Sequence, residues 1–211
     1  NIALHQKSGD TVFYVADNEF AESIASSSSG TRIPIIPDAL PPLPFSRDDL
    51  RIIGEHNYLN AAIASIVCRR FGISDDIIRE TVTSFRGLAY RLQFVRELNG
   101  VRIINDSAST NPQTTLAGIR SFTDSVVLVA GGRNKGLDYA PLEDALRDSS
   151  VSAVVLFGEN KDLLKKYVPV SVPCETKSTL REAVEEAVAR SRPGDIILFS
   201  PGAESLDMFV N

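Results

Sequence analysis

No stretch of this sequence approaches the roughly 18 consecutive apolar residues that a membrane-spanning helix needs. The opening residues, N-I-A-L-H-Q-K-S-G-D, lack the basic and apolar pattern of a secretory signal. Cysteine is scarce: Cys68 and Cys174 stand far apart without a metal-ligand spacing, which predicts reduced core thiols in a cytoplasmic protein. There is no basic run, and the net charge of -5 argues against nucleic acid as a partner. Neither G-x-x-x-x-G-K-[ST] nor G-x-G-x-x-G occurs. Phosphates, if bound, must be held by a few placed cations and backbone amides. What is present is the 43% hydrophobic content of a globular protein, in 211 residues that suffice for one large domain or one and a half ordinary ones. The chain has no initiating Met and ends S-L-D-M-F-V-N, where a loop has just begun, so a fragment of a longer chain is expected.

Taken in order, Thr11 to Ala16 reads as a strand, Asp17 to Ala25 as a short helix and Thr31 to Ile36 as a second strand. P-D-A-L-P-P-L-P, Pro37 to Pro44, holds too many prolines for helix interior or central strand. Gly54 to Phe71 is the clearest helix. It is apolar on most sides, so it is expected to be largely buried, and Gly72 stops it. Ser74 to Phe85 is an amphipathic helix capped by Ser74. Leu92 to Leu98 and Val101 to Asn105 form a hairpin through Asn99-Gly100. From Pro112 helices alternate with strands: helix Pro112 to Phe122, strand Ser125 to Ala130, helix Pro141 to Asp148, strand Ser152 to Phe157 and helix Asn160 to Tyr167. A weaker strand near Val170 to Cys174, helix Ser178 to Ser191 and strand Asp195 to Ser200 follow. The pattern predicts an α/β fold with a mostly parallel sheet.

In such sheets ligands bind outside the carboxyl ends of the strands. V-R-I-I-N-D-S-A-S-T-N, Val101 to Asn111, puts a buried strand before a polar loop and a helix start. Asp106 is the only carboxylate in that loop. It suits a sugar hydroxyl or a cation, although Asp106 or Asn111 could equally cap the next helix. Arg91, at the mouth of the preceding strand, is either a phosphate clamp or a surface ion-pair partner. His56, Asn57 and Asn60 crowd the start of the 54–71 helix, suiting a ligand or merely nearby loop backbone. Gly131 and Gly132 let a backbone approach a ligand closely, and Lys135 projects a charge from the same turn. On one sheet edge Asp106, Thr110, Lys135, Ser200 and Ser205 would converge.

The segments G-E-H-N-Y-L-N-A-A, F-R-G-L-A-Y-R, I-N-D-S-A-S-T-N-P, A-G-G-R-N-K-G and S-P-G-A-E-S-L-D-M-F resemble, in order and spacing, those of the Mur ligases. The resemblance covers roughly Gly54 to Asn211. N-D-S-x-x-T-N with G-G-x-x-K-G points to the branch that adds D-glutamate to UDP-N-acetylmuramoyl-L-alanine. It implies residues 1–86 as the tail of an α/β central ATPase domain, and 87–211 as a Rossmann-like C-terminal domain with an N-terminal hairpin, truncated at its end. The implied activity is ATP-dependent, ADP-forming amide ligation through an acyl phosphate, for peptidoglycan precursors, in a cytoplasmic monomer. Asn57 and Asn60 would lie by the adenine with His56 in support, Arg91 on the ATP phosphates, and Asp106 on the ribose. Thr110, Lys135, Ser205 and the backbone of Leu206 would hold D-glutamate, with Lys135 and Arg91 as the catalytic cations. The Mg2+ ligands and P-loop would lie upstream of Asn1, so the 211 residues alone are expected to be inactive. Because Asn60 and Asp106 fall on different domains, closure about Arg86 to Ala89 would gate the reaction. The chain departs from the family at Ala108, usually Lys, at Ala89-Tyr90, usually Pro-His, and at Glu204, usually a small residue. Another Mur-type or folylpolyglutamate-type amide ligase and a non-catalytic Rossmann-like binding module are the alternatives.

Overall fold

Six stretches between residues 93 and 199 align into one sheet in the computed structural model, which describes residues 2–134, 136–147 and 150–204. The chain separates into two compact units, residues up to 51 with 55–85, and residues 52–54 with 86 onward.

In the first unit β1 (Thr11–Val15) and β2 (Thr31–Ile35) pair in parallel, Thr11 beside Thr31 and Val15 beside Ile35. The crossover helix α1 (Glu19–Ser26) starts where the Asn18 side chain accepts the Ala21 amide at 2.9 Å. The proline-rich segment contains a single 3-10 turn, Pro37–Ala39, with proline at its first position. Helices α2 (Glu55–Arg70) and α3 (Asp75–Ser84) pack around Phe45, Ala61 and Ile78.

Two expectations fail here. Only Ala61, Ala62 and Ser65 of α2 are buried, so the helix is not buried all round. It closes one face on α3 and the Leu43–Leu50 segment and leaves Ile63, Ile66 and Val67 half-exposed. Ser74 occupies the N-cap position of α3 without a side-chain capping bond. Asp75 orients that end instead, gripped in a fork by Arg69 at 2.7 and 2.8 Å.

The sheet of the second unit runs β3 (Gln93–Leu98), β4 (Val101–Asn105), β8 (Ile196–Phe199), β5 (Val126–Gly131), β6 (Val151–Phe157), β7 (Cys174–Thr176). Only β3 is antiparallel. Asn99 and Gly100 both take positive φ, 52° and 78°, as the hairpin turn requires. β3 starts at Gln93 rather than Leu92, because Leu92 is itself left-handed at φ 43°. The edge strand β7 forms at Cys174–Thr176, later than expected, since the 169–173 segment P-V-S-V-P lacks amide donors at two positions.

Period-2 side chains split between two apolar faces. Val126, Leu128, Ile196, Leu198, Val154 and Leu156 meet one layer, and Val127, Val129, Ile197, Ala153 and Val155 meet the other. The first layer holds α4 (Pro112–Ile119), α5 (Ala140–Arg147) and α6 (Lys161–Leu164, continued as a 3-10 turn to Tyr167). The second holds α7 (Leu180–Arg190), whose Ala183 and Ala187 are fully buried against β5 and β6. Each buried Val or Leu is worth about 1.5–3 kcal/mol, whereas an exposed ion pair gives about 0–1 kcal/mol. The sheet core therefore carries the stability of this unit. The cysteines, Cys68 and Cys174, are free and half-buried, each packed against the edge of a hydrophobic core; burial pushes the Cys174 thiol up.

Ion pairs trim the β7–α7 edge. Glu186 accepts from Lys177 at 2.7 Å and Arg190 at 2.6 Å, and Arg190 reaches Glu175 at 2.9 Å. The Lys177 ammonium, then the Arg190 guanidinium, hold the Glu186 carboxyl below the usual carboxylate range. A depressed carboxylate stabilises the fold above its unfolded-state value and loses that contribution as pH falls through the folded one. Thermal melts below pH 4.5 or so should thus fall more steeply for the wild type than for Glu186→Gln. Parallel curves would show the pairs to be energetically idle.

Candidate active site

The carboxyl ends of β4 and β8 are neighbours, so the loops leaving them meet. The Asp106 amide donates to the Phe199 carbonyl at 2.8 Å, extending the β4–β8 ladder by one step beyond β4. This places the Asp106 carboxylate, 5% exposed, beside the fully buried Ser200. Asp106 Oδ2 accepts from Ser109 Oγ at 2.6 Å and from Ser200 Oγ at 2.8 Å, while Oδ1 accepts the Leu92 amide at 3.1 Å. Thr115 Oγ1, on α4 and also fully buried, lies 3.1 Å from Ser200 Oγ. A burial this deep is tolerable because each carboxylate oxygen has a donor. Gly118 makes room for it: a Cβ there would stand 3.0 Å from Asp106 Oδ2.

Asp106 therefore does not cap α4. Asn111 does, its Oδ1 accepting the Thr114 amide at 3.0 Å, with Pro112 at the first helical position. The loop is also tied to the segment before β3. The Ala108 amide donates to the Tyr90 carbonyl at 3.0 Å, so the turn that carries Arg91 is stitched to the Asp106 loop at two points. Arg91 itself is exposed, and its side chain pairs with no described residue.

The loop after β5 is held from below. Gly131 and Gly132 have φ of 129° and 154°, conformations that other residues avoid. Added Cβ atoms would lie 2.0 Å from the Phe157 carbonyl oxygen and 2.3 Å from that of Glu204. The close approach that these glycines make in the structure is to backbone of β6 and of the β8 loop. Arg133 and Glu204 form a bridge there, with the Arg133 amide donating at 2.8 Å. Asn160, 2% exposed, accepts the Gly132 amide at 2.9 Å and donates to the hydroxyl of the fully buried Tyr139 at 3.0 Å. The β8 loop is closed onto the β4 loop by the Gly202 amide, 2.9 Å from the Ser109 carbonyl. Three strand ends thus share one rigid floor with Arg91 and Thr110 exposed beside it. Among the described residues, no group of three or more His, Cys, Asp or Glu is placed to hold a metal ion, and no helix is long and apolar enough to cross a membrane.

A family model for the Mur ligase glutamate ligase domain matches residues 90–202, more than half of the chain. The chain belongs to the Mur ligase family. It is 37% identical over 168 residues to the UDP-N-acetylmuramoylalanine–D-glutamate ligase of Aquifex aeolicus, a match covering 79% of this chain and 40% of that one. To the ligase of the same name from a Roseiflexus species it is 40% identical over 173 residues, covering 79% and 36%. The Mur ligase chain described here thus spans well under half the length of these relatives. Its fold resembles that of a MurF ligase from Thermotoga maritima solved in complex with ADP, with a TM-score of 0.70 at 16% identity, covering 95% of this chain and 52% of that one.

In this Mur ligase chain the site residues expected from sequence fall into three groups. Arg91, Asp106 and Thr110 lie on one loop cluster of the second unit, together with Ser200. His56, Asn57 and Asn60 lie in the first turns of α2 in the first unit, His56 and Asn60 exposed and Asn57 half-buried. Lys135, Ser205 and Leu206 lie outside the described residues. Sequence reasoning missed Ser109, Thr115, Gly118, Tyr139 and Asn160, the parts that hold the floor rather than face a ligand. The signals were faint: one glycine inside a helix, and one asparagine just after a strand.

Proposed function

We propose that this chain supplies part of the ATP site and most of the amino-acid site of a ligase that joins D-glutamate to UDP-N-acetylmuramoyl-L-alanine with hydrolysis of ATP to ADP. The supporting observation is the sequence likeness to D-glutamate ligases over 168 and 173 residues, together with the family match over residues 90–202. A folylpolyglutamate-type ligase shares the fold only, at 15% identity. On this reading residues 1–86 end a central ATP-binding domain and 87–211 belong to the C-terminal domain. The enzyme works in the cytoplasm as a monomer, and closure about Arg86 to Ala89 gates the reaction.

The chemistry asked of these residues is positioning and charge stabilisation. The substrate carboxylate attacks the γ-phosphorus of ATP and releases ADP. The amine of D-glutamate then attacks the acyl carbon and expels phosphate. Asn57 and Asn60, supported by His56, face the adenine, and Asp106 lies at the ribose through Oδ1, which carries one internal bond. Arg91, exposed and unpaired among the described residues, takes the phosphates. Thr110, Lys135, Ser205 and the Leu206 amide match a dianionic amino acid, which needs a cation, hydroxyls and backbone donors. Mg2+ neutralises phosphate charge when bound, with ligands from outside this chain.

The test uses the full-length ligase that this reading requires, supplied with ATP, Mg2+ and UDP-N-acetylmuramoyl-L-alanine. Phosphate release should depend on D-glutamate and not on L-glutamate, L-lysine or diaminopimelate. Lys135→Ala should lower kcat/KM for D-glutamate by about 100-fold or more and leave KM for ATP in place. Release with another amino acid instead would reassign the substrate; no release with any would remove the ligase reading.

A further inference from the structure

The backbone around Arg91 is strained. Tyr90 and Leu92, on either side of it, take φ of 67° and 43°, left-handed conformations that residues with a Cβ adopt at a cost. Such a conformation persists only where the surroundings impose it. Here the imposing contact on Leu92 is the Asp106 carboxylate, whose Oδ1 accepts the Leu92 amide at 3.1 Å across 14 positions of sequence. The carboxylate is itself fixed by Ser109 and Ser200 and walled by Gly118. Its buried oxygens already meet three donors, none of them a cation among the described residues.

We propose that Asp106 is also a latch, a positioning residue that sets the direction of Arg91 in addition to its place at the ribose. The negative charge strengthens all three bonds relative to a neutral acceptor. With the latch closed, the 90–92 turn keeps its left-handed form and Arg91 projects from it ready to meet phosphate. With the latch open, Tyr90 and Leu92 relax toward ordinary φ and Arg91 samples many directions. The part of this inference that concerns ATP rests on the phosphate role given to Arg91 above; the part that concerns the turn does not.

The two parts are tested separately. In Asp106→Asn, amide exchange at Leu92 should quicken by about 10-fold, while the amides of β5 and β6 keep their protection. Unchanged exchange at Leu92 overturns the latch. In the full-length ligase the same variant should raise KM for ATP by about 10-fold, and by clearly less in an Arg91→Ala background, as residues acting through one another are non-additive. A full penalty without Arg91 overturns the coupling to ATP and leaves Asp106 acting at the ribose alone. Gly118→Ala gives a second route that keeps the carboxylate and favours the helix: its new Cβ, 3.0 Å from Oδ2, should displace the latch and raise both Leu92 exchange and KM for ATP several-fold. If Asp106→Asn does not fold, Gly118→Ala decides, with unchanged values counting against the latch. If Arg91→Ala leaves ATP use intact, the phosphate reading fails while Leu92 exchange still reports on the turn.

Discussion

Gly131→Ala should destabilise the second unit by about 4 kcal/mol and lower its melting temperature by about 10 °C. The methyl carbon would sit 2.0 Å from the Phe157 carbonyl oxygen and 2.9 Å from its carbon, contacts with backbone that no side-chain rotation relieves. The φ of 129° adds a strain of about 1–3 kcal/mol. Relief requires parting β5 from β6 at their carboxyl ends, where Gly131 pairs with Phe157. Gly136→Ala is the control. It also has positive φ, 67°, but nothing lies within 4 Å of its would-be Cβ, so it should cost only about 1–2 kcal/mol. Differential scanning calorimetry of the two variants separates clash from strain. Equal losses would mean that the β5–β6 junction yields easily and that the floor is softer than its hydrogen bonds imply.

Arg91→Ala should leave stability within about 0.5 kcal/mol, because the side chain is exposed and has no partner among the described residues. Catalysis is a different matter. On the reading proposed here, kcat/KM for ATP in the full-length ligase should fall by about 100- to 1000-fold, the scale for losing one donor aimed at developing charge. Arg91→Lys should recover only part of this, since an ammonium cannot make the paired contacts of a guanidinium with phosphate. A wild-type ATP response in Arg91→Ala would return Arg91 to the surface ion-pair reading, and a large loss of stability would show a structural role instead.

The site was legible in the sequence as a set of loops but not as a mechanism of support. Polar residues at strand ends pointed to one edge of the sheet, and Arg91, Asp106 and Thr110 stand together there. Asp106 reads from sequence as either a ligand-facing carboxylate or a helix cap, because its neighbours in sequence are small and polar; in the fold it is buried under Ser200 after β8 and the turn before β3. The two glycines at 131–132 signalled a close approach, but sequence alone does not say to what. The burial of α2 was over-read because its apolar residues lie on several sides, whereas a helix buries only the side that a neighbour covers.

Local chemistry by itself determined much of this protein. Period-2 apolar runs made β5, β6 and β8 two-faced core strands, Asn99-Gly100 made the hairpin, and Asn111 with Pro112 and Thr179 with Glu182 started α4 and α7. These features depend on residues within a few positions of one another, so sequence displays them. Tertiary structure alone decided that β8 inserts between β4 and β5, bringing Ser200 to 2.8 Å from Asp106 across 94 positions. It also set Gly131 against Phe157 and the strained turn of Arg91 against a buried carboxylate. Strand order is settled by how two whole faces of the sheet are covered at once, and no local pattern records that competition.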